Sequence, residues 1–499
     1  MSKHDRAIRR PFRAAWVLCL GLFAGSAAMA NSLAVLHQFS GTDGTGPTGL
    51  VRGSDGNFYG ATTLGGDLVT CNPDGCGTLF TLDPLGNFGQ LHIFNASDGY
   101  NPNGLTEGPD GRYYGTAYRG GQESGGGSGV IFSITPAGKY KVLYRFTGGF
   151  ACCDGASPRG RLLLGKDGMF YGTTEFGGDF RDVDHSSGFG TVFRFDPKSA
   201  EVTILHSFNI ADANGIYPNG PLIRPHDGFL YGTTRQLENG GPGGGTLFRI
   251  DRTGANFSLV ATLAGMEPLS GVIQGTDGNF YGLDDGGAGA GTFYRVDGAG
   301  TVSILNKFDG FDGRGPRYQP TQAGDGRFYG STVEGGLLDF QTGAIFRMTS
   351  SGDFRILHSF ASARPDGILP NTQLVEGGDG MLYGTAALGG THNRGTVFRI
   401  DPADLGAVKK ISVKPAIIKS GQSAKGTVTL HAPAPAGGLT VTLSVQSGPV
   451  IVPGSVKVRE GQTRAKFDVQ TFQIGAENNS RLYAGVDGQG VRTVVTVEP

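Results

Sequence analysis

The sequence predicts an all-β protein: a seven-bladed β-propeller with four strands per blade, followed by an immunoglobulin-like β-sandwich. Three observations predict it. First, Asp-Gly-x-aromatic-Tyr-Gly opens at Asp55, Asp110, Asp167, Asp227, Asp277, Asp325 and Asp379, with Leu replacing the aromatic in the fourth and seventh copies. Successive copies are 48 to 60 residues apart, and self-similarity at that period marks a repeat architecture. Second, four short strands recur around each copy; in the first unit they cover residues 50–53, 58–63, 77–83 and 91–94. Neighbouring side chains on a strand point to opposite faces, so Phe58 and Tyr59 demand cover on both sides of one sheet, which stacked blades provide. Third, the last Gly-Thr-Val-Phe strand at 395–398 has no Leu-His-x-Phe strand after it, while a spare Leu36-His37-Gln38-Phe39 stands before the first unit. The N-terminal strand is therefore expected to close the last blade, leaving no open edge to the array.

Taken in order, the chain starts with an export signal. Lys3, Arg6, Arg9, Arg10 and Arg13 form a basic region, residues 14–24 an apolar one, and Ala28-Met29-Ala30 a small-residue cleavage site, so 1–30 reads as a signal peptide. Arg9-Arg10-Pro11-Phe12 also fits a twin-arginine signal, and both export routes stay open. The propeller occupies 33–403. Within each unit, Asp-Gly forms a tight turn into the strand that carries the aromatic pair. The innermost strand precedes that turn, and Leu-His-x-Phe is outermost. From 405 onward the repeat ends and alternating apolar runs begin at 411–415, 426–430, 439–445, 455–458, 465–469, 481–486 and 491–497. Seven strands in so short a stretch read as an immunoglobulin-like sandwich over 408–499.

Composition narrows the function. Loss of the signal leaves 37 basic against 42 acidic residues, so nucleic acid and anionic membranes are not expected partners. Nothing after the signal is apolar enough to span a bilayer. The expected location is secreted, periplasmic or at a bacterial cell surface, and the expected state a monomer. Export permits disulfides. Cys71 and Cys76 flank the turn-forming Asn-Pro-Asp-Gly and can be bridged, while the adjacent Cys152 and Cys153 leave open a vicinal disulfide, cross-links to the first pair, or free thiols. A four-thiolate zinc site is the alternative; it lacks the usual ligand spacing.

The unit Asp-Gly-x-aromatic-Tyr-Gly-Thr-Thr, then Gly-Gly, then Gly-Thr-Val-Phe-Arg-x-Asp-Pro, as written at 167–197 and with small departures at 379–402, resembles the GloVer tandem-repeat family of exported bacterial proteins. The resemblance implies export and covers about three quarters of the chain. It implies no particular activity.

Candidate site residues fall in three sets. In a blade the Asp-Gly turns share one face, and the Gly-rich loops (65–77, 120–129, 177–190, 239–245, 285–291, 335–343, 389–395) share the other, where binding is expected near the axis. The third of these loops breaks the repeat with Asp179, Arg181, Asp182, Asp184 and His185, types suited to a metal or acid/base site. On the innermost strands the residue three before each Asp is polar in six copies, including Arg52, Glu107, Arg224 and Glu376; these can line a polar channel or satisfy one another. The blade crossings carry Asp43, Asp98, Asp154, Asp312 and Asp366, a ring of carboxylates that near the axis can bind Ca2+, though Asp before Gly more commonly caps its own turn. No other cofactor is predicted. The repeated tyrosines are expected to pack between blades, and His37, His92, His206 and His358 to be structural. With no serine-nucleophile elbow or phosphate-binding loop, the leading expectation is a non-catalytic binding or adhesion protein for an extracellular glycan or protein ligand. The alternative is a propeller hydrolase or lyase acting on an extracellular polymer with carboxylates on the Gly-loop face.

Overall fold

In the computed structural model the described residues are 33–499, except 70, 72, 123–126, 149–153, 180–187, 238–243, 287–288 and 447. The chain is all-β, and residues 33–400 form antiparallel four-stranded sheets whose strands run consecutively in space. The first sheet orders Thr45–Arg52, Phe58–Leu64, Thr78–Leu82 and Phe88–Ile93 from its inner to its outer edge. Five sheets of the same pattern follow, ending with Phe354–Ser359. The last repeat places Leu382–Leu388 beside Thr396–Ile400, and its outer position is taken by Leu33–Gln38, with Val35 opposite Phe398 and His37 opposite Val397.

The repeated hexapeptide explains the local fold. Gly56 adopts φ +87°, which favours glycine, while Asp55 accepts from Asn57 N at 3.0 Å and so fastens the turn. The Tyr59 hydroxyl donates to the other carboxylate oxygen of Asp55 at 2.7 Å. The same tyrosine-to-aspartate bond recurs at Tyr114, Tyr171, Tyr231, Tyr281, Tyr329 and Tyr383, at 2.6 to 2.9 Å. A buried phenol must be partnered, and the turn carboxylate does it.

The core lies between sheets. Tyr59 stacks on Tyr113 at 3.9 Å, Tyr114 meets Phe170 at 4.4 Å, Tyr231 meets Phe280 at 4.7 Å and Tyr281 meets Phe328 at 4.1 Å. Tyr383 of the last sheet stacks on Phe58 of the first at 4.0 Å. The series of contacts thus returns to its start. Each such ring contributes roughly 2 kcal/mol of apolar burial.

The glycine after each tyrosine makes room within its own sheet. Gly60 lies opposite Phe80 of its own sheet, and a Cβ there would stand 2.4 Å from the Phe80 ring. Glycine is required because a large cross-strand partner lies over it.

The C-terminal residues form two facing sheets around an apolar core that includes Ile411, Val428, Val441, Val469 and Leu482. One sheet contains Val408–Lys414, Ser423–Leu430, Arg464–Thr471 and Val450–Ile451. The other contains Leu439–Val445, Ser455–Val458, Asn478–Val486 and Gln489–Glu498, and it continues the sixth repeat sheet, with Gly490 opposite Ile356. Charge seals this junction. Asp309 and Asp312, with side chains 2% and 0% exposed, face Arg481, and Arg492 is hydrogen-bonded to Asp312. Arg481 donates to Asp309 at 3.1 Å, and the Tyr483 hydroxyl to the same oxygen at 2.5 Å. Burial and the neighbouring Asp309 push the Asp312 carboxyl up, against the pull of both arginines. Nothing in the tail's local pattern announces this docking.

Candidate functional site

At the centre of the repeat region, on the side of the Gly-rich loops, lies a cavity of about 630 Å³ to which all seven repeats contribute. Its wall is the residue that follows the repeated crossing proline: Thr48, Asn103, Arg159, Asn219, Leu269, Arg317 and Asn371. Hydroxyls from the second strand of one sheet hold the crossing of the next. Thr173 Oγ1 donates to Gly220 O at 3.2 Å, Thr233 Oγ1 to Ser270 O at 3.0 Å, Ser331 Oγ to Thr372 O at 2.9 Å and Thr385 Oγ1 to Thr48 O at 2.9 Å. Asn103 Nδ2 donates to Pro158 O at 2.8 Å and Gln319 Nε2 to Val272 O at 2.9 Å. A wall fastened between sheets is preorganised for a ligand.

Four arginines reach the cavity: Arg159, Arg161, Arg235 and Arg317. Three have acidic partners. Arg159 Nε donates to the buried Glu175 at 2.9 Å, and its guanidinium lies over the Tyr118 ring at 4.6 Å. The Tyr118 hydroxyl donates to the same Glu175 oxygen at 2.7 Å. Burial alone would lower the Arg159 pKa, but Glu175 and Tyr118 outweigh it and raise it. Arg317 Nε donates to Asp285 at 3.2 Å, and Arg235 lies 3.7 Å from Glu267 with its buried Nε making no hydrogen bond. Arg161 differs: among the described residues it has no ion-pair or hydrogen-bond partner, and desolvation by the surrounding wall lowers its pKa although its side chain meets the water of the cavity. Desolvation also pushes the Tyr318 hydroxyl up to about 12, opposed by Arg317, Arg159 and the nearby Asn371.

The residues singled out from the sequence sit elsewhere. Glu107 accepts from Ser54 N at 2.8 Å and Glu376 from Gly324 N at 2.9 Å, each bridging to the turn of the preceding sheet. Arg52 lies over Gly378, and Arg224 Nη1 is buried without a partner. None of these four lines the cavity. Asp179 accepts from Ser207 Oγ at 3.1 Å, while Arg181, Asp182, Asp184 and His185 lie outside the described residues. The crossing aspartates do not ring the axis. Asp43 and Asp98 accept from the turn amides of Ser40 and Asn95 and face His37 and His92 of the outermost strands, at 2.9 and 3.1 Å. Asp154 accepts from Thr147 N and from the Tyr144 hydroxyl, and Asp366 faces His358 at 2.8 Å. Asp312 belongs to the junction with the C-terminal sheets. These carboxylates precede the stretch of each crossing that reaches the cavity, which begins at the residue after the later proline. Cys71 and Cys76 are joined in a disulfide; Cys152 and Cys153 lie outside the described residues.

Sequence reasoning thus missed the cavity arginines. The signal available was the polar character of the position after the crossing proline in six of the seven repeats, together with a residue inserted between Pro and Asp in the last five repeats, which in the third is Arg161.

The sequence profile described as the Gloeobacter/Verrucomicrobia repeat matches residues 26–236, 125–283 and 223–416. No curated protein matches the chain. Among solved structures, hydrazine synthase from Kuenenia stuttgartiensis is 15% identical, with 74% of this chain and 99% of that chain covered and a TM-score of 0.47. A candidate 6-phosphogluconolactonase from Bacteroides uniformis is 15% identical, covering 62% and 83%, with a TM-score of 0.40. An exo-β-1,3-galactanase from Phanerochaete chrysosporium is 13% identical, covering 91% and 96%, with a TM-score of 0.36.

Proposed function

The chain belongs to the Gloeobacter/Verrucomicrobia repeat family, and from that premise we propose that it is an exported, non-catalytic binding protein whose ligand enters the axial cavity. The scaffold in this reading is a closed seven-bladed propeller, and the docked C-terminal sheets are an immunoglobulin-like module. Export follows from the basic and apolar composition of 1–30, and places the protein in the periplasm, in the medium or at the cell surface. Among the described residues no helix is long and apolar enough to cross a membrane.

The observation that carries the reading is the cavity itself. Its volume of about 630 Å³ falls within the roughly 300–1,000 Å³ typical of small-molecule sites, and amides, hydroxyls and guanidinium groups converge in it from every repeat. Asp285, the carboxylate in its lining, is engaged by Arg317, and Glu175 and Glu267 are engaged by the lining residues Arg159 and Arg235. That arrangement favours binding over a hydrolase or lyase, which would need a carboxyl free to exchange protons. A thermal-shift screen of glycans on the full mature chain tests the proposal, because a ligand that binds only the folded state must raise Tm. Failure of every glycan to shift Tm or to be retained in equilibrium dialysis would remove it.

A further inference from the structure

We infer that the ligand of the axial cavity carries a single negative charge on a polyhydroxylated body, of which an oligosaccharide with one uronate residue is the representative, and that Arg161 receives that charge. The inference rests on the cavity being the binding site and adds the chemistry of what fills it.

The charge count is the first argument. Four arginines line the cavity against the carboxylates of Asp285, Glu175 and Glu267, which leaves an excess of one positive charge. The excess sits on Arg161, the member without a partner, in a surrounding that already penalises its charge. Arg161 is exposed to the water of the cavity, so its guanidinium is open to an arriving anion. A monoanion matches the excess, whereas a phosphate dianion would need two uncompensated cations.

Geometry and lining chemistry are the second argument. Guanidinium presents a planar fork that fits a carboxylate in bidentate fashion. Around it, Asn219, Gln373 and Asn371 offer amides to hydroxyl groups, and Ser270 Oγ and Arg235 Nε are buried without hydrogen-bond partners. The Tyr318 ring, with Leu50 and Leu105, supplies apolar surface for the faces of a sugar ring. A cavity of this size exceeds what a free inorganic anion fills.

The test uses the full mature chain and isothermal titration with galacturonosyl-rhamnose, a disaccharide with one carboxylate, its methyl ester, a neutral hexose disaccharide and sodium acetate. Galacturonosyl-rhamnose is expected to bind, its methyl ester to bind roughly ten- to a hundredfold more weakly, as loss of a charge-assisted hydrogen bond requires, and acetate to compete with it. Arg161→Gln should produce the same loss for galacturonosyl-rhamnose while leaving the ester unchanged, and Arg161→Lys should restore part of it. Affinity should fall as salt rises, a readout on the native chain that stands even if a variant fails to fold. Equal binding of acid and ester, with no salt dependence, overturns the charge assignment while leaving the cavity a glycan site. Binding of the acid that Arg161→Gln does not alter overturns the role of Arg161. Absence of binding by any saccharide overturns the underlying reading instead.

Discussion

Arginines meet carboxylates in two places in this protein, and the two arrangements differ in what they leave unfinished. At the junction with the C-terminal sheets, Asp309 and Asp312 are fully enclosed, and Arg481, Arg492 and Tyr483 converge on them from the tail. The Arg492 guanidinium also lies over Phe354 at 4.5 Å and donates to Asn306 at 2.7 Å. Each carboxylate there has its cations, and the cavity that reaches Tyr483 of this group measures only about 130 Å³. In the axial cavity the same residue types are arranged so that three arginines are matched and Arg161 is left over beside about 630 Å³ of open volume. A closed charge cluster secures the fold; an open one holds a charge in readiness.

The sharpest way to break that contrast is to remove a carboxylate from the closed cluster. Asp312→Ala leaves Arg492 without a carboxylate in a mostly buried site, while Arg481 keeps Asp309, and a broken buried pair of this kind costs about 3 kcal/mol. Urea denaturation should show the loss, with the C-terminal sheets released first and becoming sensitive to proteolysis. An unchanged denaturation midpoint would mean that the cluster does not hold the two regions together.

A smaller effect is expected where a carboxylate has neutral donors to fall back on. In Tyr171→Phe the Asp167 carboxylate loses the phenol at 2.6 Å but keeps the Met169 amide and the nearby Arg252. The expected cost is about 1 kcal/mol, the net worth of one hydrogen bond. A cost several times larger would mark the tyrosine-aspartate bond as part of a cooperative network across sheets.

The histidines refine the comparison by pH. His37, His92 and His358 each face an aspartate, but in the fourth repeat Asn214 stands where that aspartate is expected, and His206 stacks on Phe257 at 3.9 Å with Nε2 buried and unpartnered. Burial pushes its pKa down to about 4, with Asp212 opposing weakly. The folded value lies below the unfolded 6.5, so above pH 6.5 both states are neutral. As pH falls from 6.5 towards 4 the unfolded chain gains a proton that the folded chain refuses, and stability is lost across that window. Imidazole titration by NMR should place the midpoint near 4, and Asn214→Asp should raise it and flatten the stability loss. A midpoint near 6.5 in the native chain would remove the burial argument.

How much of this was legible in the sequence depends on whether a feature repeats. The seven turns, the strand borrowed from Leu36-His37-Gln38-Phe39 and most tail strands followed from local period and pattern, since turn chemistry and alternation are properties of adjacent residues. The partners of Asp312 were not legible, because Arg481 and Arg492 lie more than 160 residues away in strands whose alternation reads the same with or without a docking surface. The axial arginines were hidden for another reason. The polar positions three before each Asp drew attention to Glu107 and Glu376, which bridge turns, while the insertion that carries Arg161 shifts register between repeats and blurs the column that lines the cavity.

The smallest predicted change in stability is also the most discriminating. If Arg161 were a structural cation like Arg492, replacing it would expose a loss comparable to that of the junction cluster. It has no acidic partner to abandon, and its surroundings already lower its pKa by desolvation. Arg161→Gln should therefore leave stability unchanged or raise it by a few tenths of a kcal/mol, as expected when a substitution removes an uncompensated charge from a partly dehydrated site. Chemical denaturation of the unliganded chain measures it, and the same variant in galacturonosyl-rhamnose at a concentration that saturates the native chain should lose the ligand-induced rise in Tm that the native chain shows. A destabilisation of 2 kcal/mol or more would show that Arg161 is paired in solution, and the distinction between the closed and open clusters would then fail at the residue on which it depends.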